Sequence, residues 1–167
     1  YCYVGRLSRE KGVATLIAAA RELPHKLLVI GDGPLRGELE AMAAGCGNIT
    51  FCGHKDWQEL SQLVGRARFV VVPSEWYEVF GLVSIEAECL GTPVLAADIG
   101  GIPETLAGDG CGMLFKPGDA AGLREKIGLM YATDFDHAAI AAKARDTYSE
   151  QRYYTSLMSV YRDVTGQ

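Results

Sequence analysis

Short, wholly apolar runs alternate along this chain with longer stretches in which apolar residues recur every three or four positions. The short runs predict strands buried on both faces, and the longer stretches predict amphipathic helices. The predicted strands are 1–4, 26–30, 49–52, 69–72, 93–97 and 111–115, and the predicted helices are 13–23, 35–44, 57–66, 82–90, 120–132, 137–147 and 151–164. Such alternation predicts a three-layer, Rossmann-like α/β fold, in which helices cover both faces of a parallel sheet.

Composition narrows the classes of function. The hydrophobic content of 49% and charged content of 22% suit a soluble domain, and no segment is apolar for long enough to span a bilayer. The net charge of -5 argues against a nucleic-acid partner, although it permits a local cationic pocket. Five cysteines without a Cys-x-x-Cys pair indicate reduced thiols in a cytoplasmic protein, and the three separated histidines do not predict a metal site.

The chain begins directly with a predicted strand, and its first residue is Tyr1 rather than an initiator methionine. Its 167 residues are enough for one well-cored domain, and no linker or repeat divides them. We therefore expect residues 1–167 to form a single domain that is a fragment of a longer protein.

The loop after the first predicted strand carries two cations at an unfavourable place. Arg6 and Lys11 lie between the end of the strand and the start of the next helix, and Gly5 and Gly12 frame them. Because a helix N-terminus already carries about half a positive charge, two further cations favour a bound anion such as a diphosphate. Alternatively, both side chains extend into water and bind no ligand.

The segment from Ser74 to Gly81 joins a buried strand to a helix, and α/β folds bind ligands at such connections. Glu78 precedes the helix, and the backbone amides of Gly81, Leu82 and Val83 are free to bind anionic oxygens. The segment therefore predicts a ligand site, although compensation of the helix dipole would by itself explain Glu78.

Glu86 is the residue that the helical pattern leaves unexplained. Its neighbours one turn away on either side are apolar, so we expect its carboxylate on the apolar face of the helix, where a charge needs a partner. Glu88 falls on a different face, and we expect it to need no special partner.

Three other loops at the same edge of the predicted sheet give weaker signals. The loop 31–34 opens a helix, but Arg36 replaces the third glycine of a dinucleotide fingerprint, so a turn with Pro34 as the first helical residue explains it better. The loop 53–57 offers backbone groups to a nucleotide base. The pair Gly100-Gly101 fits either a close ligand or a tight turn, with neither favoured.

A series of short motifs runs through the whole chain: Gly5-Arg6-Leu7 with Lys11-Gly12, Gly31-Asp32-Gly33-Pro34, Phe51-x-Gly53, Pro73-Ser74 with Glu78-x-Phe80-Gly81, Glu86-Ala87, Gly91-Thr92-Pro93-Val94 and Gly100-Gly101-Ile102-Pro103-Glu104. In this order and spacing they resemble the C-terminal half of family-4 retaining glycosyltransferases, which have the GT-B fold. Each motif is common alone, but their combination is specific.

The resemblance implies roles for individual residues. Glu86, the second glutamate of the family's E-x7-E motif, would accept hydrogen bonds from the ribose of a nucleotide-sugar donor. Glu78, the first, would hold a hydroxyl of the transferred sugar. Arg6 and Lys11 would bind the donor diphosphate and stabilise the charge that grows on it, so Glu78, Arg6 and Lys11 are the implied catalytic residues.

The implied donor-binding set is larger and includes Lys55, which lies where the family reads the base through backbone atoms. The set comprises Gly5, Arg6, Lys11, Lys55, Phe80, Gly81, Leu82, Val83 and Glu86. The resemblance implies a UDP- or GDP-sugar as donor, a glycan or lipid-linked acceptor, and no metal or other cofactor.

The family's enzymes have two domains, and the N-terminal one would supply the acceptor site and any attachment to the inner face of the membrane. We therefore expect this chain to bind nucleotide but not to transfer sugar alone. The helix 151–164 would run toward that other domain, which would leave Tyr153, Tyr154, Leu157 and Met158 partly exposed.

Two other functions fit parts of the pattern. A non-catalytic module of flavodoxin-like fold could sense a nucleotide at the same loops. Half of a Rossmann dehydrogenase would instead bind NAD at Gly31 to Gly33. Loss of turnover on changing Glu78 to Gln separates the transferase from the sensor, and an NAD titration tests the dehydrogenase.

Overall fold

The computed structural model describes residues 1–106 and 110–166, and within them six parallel strands form one sheet. The strands are β1 (Cys2–Val4), β2 (Leu27–Ile30), β3 (Ile49–Gly53), β4 (Val70–Val72), β5 (Val94–Ala97) and β6 (Gly112–Phe115). The helices are α1 (Val13–Ala20), α2 (Arg36–Met42), α3 (Trp57–Arg66), α4 (Leu82–Cys89), α5 (Ile102–Thr105), α6 (Ala120–Ala132), α7 (His137–Thr147) and α8 (Glu150–Thr165). A short 3-10 helix, Arg9–Lys11, precedes α1.

The predicted strands are confirmed, and the helices differ mainly at their ends. Helix α1 ends at Ala20, three residues before the predicted end at Leu23. Pro24 disfavours helical backbone in Leu23, the residue before it, so the helix cannot readily extend to the predicted end. The one-turn helix α5 is too short for its periodicity to be read from the sequence, although its Pro103 signals a helical start.

The sheet is apolar on both faces, as the unbroken apolar runs predict. On β4, Val71 points into one core with residues of α1 and α6, while Val70 and Val72 point into a second core with residues of α3 and α4. Alternate residues of a strand face opposite sides, so each strand must be apolar throughout. The result is the expected three-layer arrangement.

The strand order β3-β2-β1-β4-β5-β6 places a change of direction in the middle of the sheet. From β1 the chain builds outward through β2 and β3, and it then returns to the other side of β1 with β4. The loops after β1 and β4 therefore diverge and leave a crevice at their carboxyl ends, which is where open α/β sheets bind ligands.

Helix α8 leaves the sheet and buries none of its described residues. Tyr153 is 70% exposed and Tyr154 is 58% exposed, Leu157 lies at the border of exposure, and Met158 is half-buried. The predicted exposure of this apolar stripe is thus confirmed. Among the residues that the structure describes, no helix is long and apolar enough to cross a membrane.

Candidate functional site

A cavity of about 420 Å³ opens where the carboxyl ends of β1 and β4 meet the start of α4. Most of the residues predicted from the sequence line it together: Gly5, Arg6, Lys11, Glu78, Phe80, Gly81, Leu82 and Val83. Residues from two distant loops therefore converge on one space at the point where the strand order reverses.

Lys11 and Glu78 form an ion pair inside this cavity. The Lys11 Nζ donates to Glu78 Oε1 at 2.6 Å, and the Ser74 hydroxyl donates to the same oxygen at 2.5 Å. Burial opposes ionisation of Glu78, but the hydrogen bonds from Lys11 and Ser74 outweigh it and hold the pKa of this carboxyl below its usual value. The carboxylate is thus charged and fixed by side chains rather than by the helix terminus.

The start of α4 is open to an anion. Its N-cap is Gly81, in left-handed backbone with φ of 58°, and within the described residues no side chain caps the helix. The first amides of a helix have no partner in the helix itself, and Leu82 and Val83, which carry two of them, line the cavity. A bound anionic oxygen would satisfy these amides and the positive end of the helix dipole.

Arg6 is exposed and borders two cavities. Besides the first cavity, it lines a neighbouring one of about 410 Å³ that also contains Asp32, His54 and Lys55. Lys55 therefore lies beside the site as predicted, where its Nζ is 3.2 Å from Glu59 Oε1. The two cavities share Gly5 and Arg6 and together offer an elongated space.

Tyr3 is a site residue that the sequence did not reveal. Its buried hydroxyl donates to the Arg6 carbonyl at 2.8 Å and so fixes the first loop. Burial, with smaller contributions from the negative charges of Glu78 and Glu10, raises the pKa of Tyr3, which keeps the hydroxyl a donor. Tyr3 reads as an ordinary strand residue, because apolar patterning carries no signal for such a contact.

The loop 31–34 is a structural turn. A Cβ on Gly31 would lie 1.9 Å from the Gly5 carbonyl oxygen, so only glycine allows the loops after β1 and β2 to approach. Arg36, which breaks the dinucleotide fingerprint, instead pairs with Asp32 at 2.8 Å. The expectation that Pro34 is the first helical residue is wrong, because α2 begins at Arg36 and Pro34 lies in the preceding turn.

The prediction about the two glutamates of α4 is reversed by the structure. Glu86 is exposed, whereas Glu88 is fully buried. The buried stripe of α4 contains Ser84, Ile85 and Glu88, while Leu82 is 62% exposed at the cavity mouth. Leu82 is one of the apolar neighbours of Glu86 one turn away, and because it is exposed rather than buried, the apolar pattern places the buried face of the helix incorrectly.

Glu86 nevertheless lies next to the site. It lines a small space with Val4, Trp57 and Val83, and this space shares Val4 with both of the larger cavities. Its carboxylate is therefore available to a ligand for a different reason from the one inferred, because it is solvent-facing rather than buried.

The glycine pair Gly100-Gly101 contacts the protein's own backbone. The Gly101 amide donates to the Glu78 carbonyl at 2.8 Å. A Cβ on Gly100 would lie 2.7 Å from the Glu78 carbonyl oxygen, and one on Gly101 would lie 2.3 Å from the Val79 carbonyl oxygen. The backbone of these glycines therefore packs against the loop that carries Glu78 and supports it.

Tyr148 supports the same loop from the end of α7. Its hydroxyl donates to the Thr105 carbonyl at 2.8 Å, at the end of α5. Its ring meets the Phe80 ring edge to face, with 6.3 Å between centroids. No sequence pattern predicts this role of Tyr148, because the contact joins residues far apart along the chain.

The described residues contain no group of three or more His, Cys, Asp and Glu side chains arranged to hold a metal ion. Within the described ranges, no two cysteines are joined by a disulfide bond. The charged side chains that line the first cavity are the Lys11–Glu78 ion pair and the exposed Arg6.

Comparison with known sequences and structures shows which family this chain resembles. The sequence model of the family "Glycosyl transferases group 1" matches residues 1–147. The chain is 40% identical over 121 residues to a sulfoquinovosyl transferase of Arabidopsis thaliana, covering 70% of this chain and 23% of that protein. It is also 40% identical over 133 residues to a glycogen synthase of Mycobacterium tuberculosis, covering 75% of this chain and 32% of that protein.

Solved structures show the same fold. HepE of Anabaena in complex with UDP matches 99% of this chain and 48% of its own, with a TM-score of 0.79 and 27% identity. The sucrose-phosphate synthase of Thermosynechococcus elongatus matches 99% of this chain and 45% of its own, with a TM-score of 0.78 and 31% identity.

This chain belongs to the glycosyl transferases group 1 family, and its fold is that of the C-terminal half of the GT-B glycosyltransferases. It spans about a quarter to a third of the length of the two relatives and just under half of each of the two solved chains.

Proposed function

We propose that this chain is the donor-binding domain of a retaining, metal-independent glycosyltransferase that moves a sugar from a UDP- or GDP-sugar to a glycan or glycolipid acceptor. The observation that carries the proposal is the convergence of Arg6, Lys11, Glu78 and the open start of α4 on one cavity at the strand switch point. Membership in the family and the UDP complex of HepE support it.

The diphosphate of the donor would lie between Arg6, Lys11 and the first amides of α4. Transfer breaks the bond from the anomeric carbon to a diphosphate oxygen, and the electron pair stays on that oxygen. The acceptor oxygen bonds to the same carbon, and its proton passes to the departing phosphate or to solvent. Fixed positive groups around the diphosphate stabilise the charge that develops there, which lowers the barrier without a metal ion.

Glu78 would bind a hydroxyl of the transferred sugar. Its Oε1 already accepts from Lys11 and Ser74, so the carboxylate is held in one orientation before any ligand arrives. A Lys ammonium has three donors, so Lys11 can keep Glu78 and also contact a phosphate oxygen. The ion pair would thereby join the sugar and diphosphate ends of the donor.

The nucleoside would occupy the second cavity, beside Lys55. Arg6 and Gly5 line both cavities, so a diphosphate at their junction leaves the sugar on one side and the nucleoside on the other. Glu86 is exposed next to this space and is proposed to accept from the ribose hydroxyls. Each cavity is within the size range of about 300–1,000 Å³ that is usual for small-molecule sites.

The acceptor-binding domain would be a separate N-terminal domain. In this proposal residues 1–167 bind nucleotide, while transfer requires the other domain to position the acceptor. The apolar stripe on α8 is a surface on which such a domain could pack.

Calorimetric titration of the chain with UDP, GDP and ADP in excess EDTA tests the proposal. Selective binding of UDP or GDP is expected, weakened at least tenfold by Arg6→Ala and weakened by Glu86→Ala. Glu125→Ala, which removes an equally exposed carboxylate from α6, is the matched control and should leave binding unchanged. Absence of binding by all three nucleotides, or binding that survives both site variants, would contradict the donor site.

A nucleotide-sensing module would also bind nucleotide in this titration. A second measurement therefore separates it from the transferase. Glu78→Gln in the full-length protein should reduce turnover strongly if the protein transfers sugar. A full-length protein with no transferase activity toward any glycan or glycolipid would favour the sensor.

A further inference from the structure

The two loops that carry Lys11 and Glu78 also form a second concavity, which the proposed donor site does not use. Its volume is about 590 Å³, and it is lined by Arg9 and Glu10 from the first loop and by Glu75 and Trp76 from the second. We call it the Trp76 cleft. Trp76 comes two positions before Glu78, and Glu10 comes directly before Lys11, so the cleft and the donor cavity are built on the same two short segments.

The polar wall of the Trp76 cleft is held in place by hydrogen bonds. The Glu75 amide donates to the Glu10 carbonyl at 2.9 Å, which joins the two loops. The Thr15 hydroxyl donates to Glu75 Oε1 at 2.5 Å, and the Ser8 hydroxyl donates to Glu10 Oε1 at 2.5 Å. Both carboxylates thus have one oxygen anchored, and their other oxygens remain available to a ligand.

The Glu10 carboxylate of this wall is ionised at neutral pH. The hydrogen bond from Ser8 is the main cause that holds the pKa of Glu10 below its usual value. Glu10, Glu75 and Arg9 together present two acceptor groups and one donor group. This mixture suits a neutral ligand rich in hydroxyls and disfavours a polyphosphate or nucleic acid, which two carboxylates would repel.

Trp76 supplies an apolar surface next to these polar groups. The residue is 68% exposed, although indole is among the side chains that proteins most often cover. A flat aromatic ring packs against the C–H face of a pyranose, while the ring hydroxyls around the edge of the sugar reach the flanking carboxylates and guanidinium. An open cleft with one such ring and fixed polar groups is therefore complementary to a saccharide.

We infer that the Trp76 cleft binds a neutral saccharide unit of the acceptor, with Trp76 stacked on a sugar ring. This inference rests on the proposed function and adds an acceptor contact to the donor-binding half. In the proposed reaction the acceptor oxygen must reach the anomeric carbon beside Glu78, and the cleft begins two residues from Glu78. A saccharide held there has its reacting end close to the donor while the other domain holds the remainder.

The test measures saccharide binding by the chain itself. The sequence contains two tryptophans, so Trp57→Phe makes Trp76 the single indole fluorophore. This variant, saturated with UDP, is titrated with maltopentaose, mannopentaose and chitopentaose. A saturable change in fluorescence with at least one of these probes is expected. Calorimetry on the otherwise unmodified chain should then show at least tenfold weaker saccharide binding in Trp76→Ala.

Two further variants separate stacking from general effects. Trp76→Phe retains a smaller flat ring and should restore part of the affinity lost in Trp76→Ala. Tyr153→Ala removes an aromatic side chain that is 70% exposed on α8 and should leave saccharide binding unchanged. UDP affinity should change less than twofold in Trp76→Ala, which also shows that the variant is folded.

The outcomes distinguish this inference from the proposed function. Binding of UDP without saturable binding of any of the three saccharides overturns the acceptor subsite and leaves the donor site intact. Saccharide binding of equal strength in Trp76→Ala also overturns it. Saccharide binding that depends on Trp76 in a chain that binds no nucleotide keeps the saccharide site but removes its role as an acceptor subsite.

Discussion

The two loops that meet at the strand switch point are built in opposite ways. The loop after β1 is mainly polar, and two of its side-chain contacts are local, that of Tyr3 with the Arg6 carbonyl and that of Ser8 with Glu10. Backbone hydrogen bonds also join it to the loop after β2. The loop after β4 instead exposes a series of large apolar side chains: Trp76, Tyr77, Val79 and Phe80. Gly101 at the start of α5 contacts this loop directly, and Tyr148 at the end of α7 holds the end of α5. One loop contributes positive charge, and the other contributes surface that distant residues hold in place.

The positive charge of the site and the shape of its apolar wall therefore depend on different residues. Removing Arg6 should leave the second loop in place, whereas removing Lys11 also frees one hydrogen bond of Glu78. Changing the residues behind the second loop should disturb its shape while Arg6 and Lys11 keep their positions.

The largest effect is expected from Lys11→Ala in the full-length protein, if it transfers sugar as proposed. Removing one group that stabilises a developing charge costs on the order of a hundredfold or more in turnover. Steady-state kinetics measures this loss. Lys143→Ala removes an exposed lysine from α7 and is the matched control. Turnover within threefold of the unmodified protein would show that Lys11 does not contact the diphosphate.

A methyl group on Gly101 should disturb the second loop directly. Its Cβ would lie 2.3 Å from the Val79 carbonyl oxygen, so the backbone must shift, at a cost of about 1–3 kcal/mol in the free energy of unfolding. Urea denaturation of Gly101→Ala measures this change. In Gly128→Ala no heavy atom outside its own helix lies within 4 Å of the new Cβ, so this control in α6 should retain or slightly increase stability. Equal stability of the two variants would refute the supporting role of Gly101.

Tyr148→Phe removes a single hydrogen bond from the support and should have a smaller effect. The lost bond to the Thr105 carbonyl is worth about 0.5–1.5 kcal/mol, while the ring contact with Phe80 is kept. If the bond positions the loop, binding of a UDP-sugar should weaken more than binding of UDP, because the loop carries Glu78. Calorimetry with both ligands measures the two affinities. An equal loss for both would indicate a general effect on the fold instead.

The smallest expected effect is a difference in acid stability. The folded-state pKa of Glu78 lies below its usual value, so its contribution to stability is complete above the unfolded pKa and is lost as the pH falls through the folded pKa. Glu78→Gln should therefore reduce the difference in stability between pH 7 and pH 3. Urea midpoints at the two pH values test this, with Glu125→Gln as the exposed control. A pH dependence unchanged by Glu78→Gln would mean that the Lys11 contact adds nothing to stability.

Local patterns predicted the fold and the first loop well. Apolar runs define strands because burial on both faces requires unbroken hydrophobicity, and cations before a helix are conspicuous because of the helix dipole. The sequence therefore located β1, β4 and the residues Arg6, Lys11 and Glu78 that meet in one cavity.

Residues whose roles depend on distant contacts were not predictable. Leu82 reads as a core residue but lies at a cavity mouth, and this misassigned the environments of Glu86 and Glu88. Tyr3 and Tyr148 act through hydroxyl groups on backbone carbonyls, which no periodicity reveals. The glycine pair at 100 and 101 left two explanations open, because its partner is the backbone of a loop more than twenty positions earlier.

The strand order has a consequence for how the protein folds. Strands β1, β2 and β3 follow one another in the chain and lie side by side in the sheet. Strand β4 comes next in the chain but pairs with β1, so Cys2 and Val70 are far apart in sequence when they pair. Such long-range pairings form late because their loop-closure entropy must be overcome first. The cavity forms only when β1 and β4 pair, because one of its walls follows β1 and the other follows β4. A ligand that fills the cavity would contact both of its walls and so would stabilise the β1–β4 pairing in the folded chain.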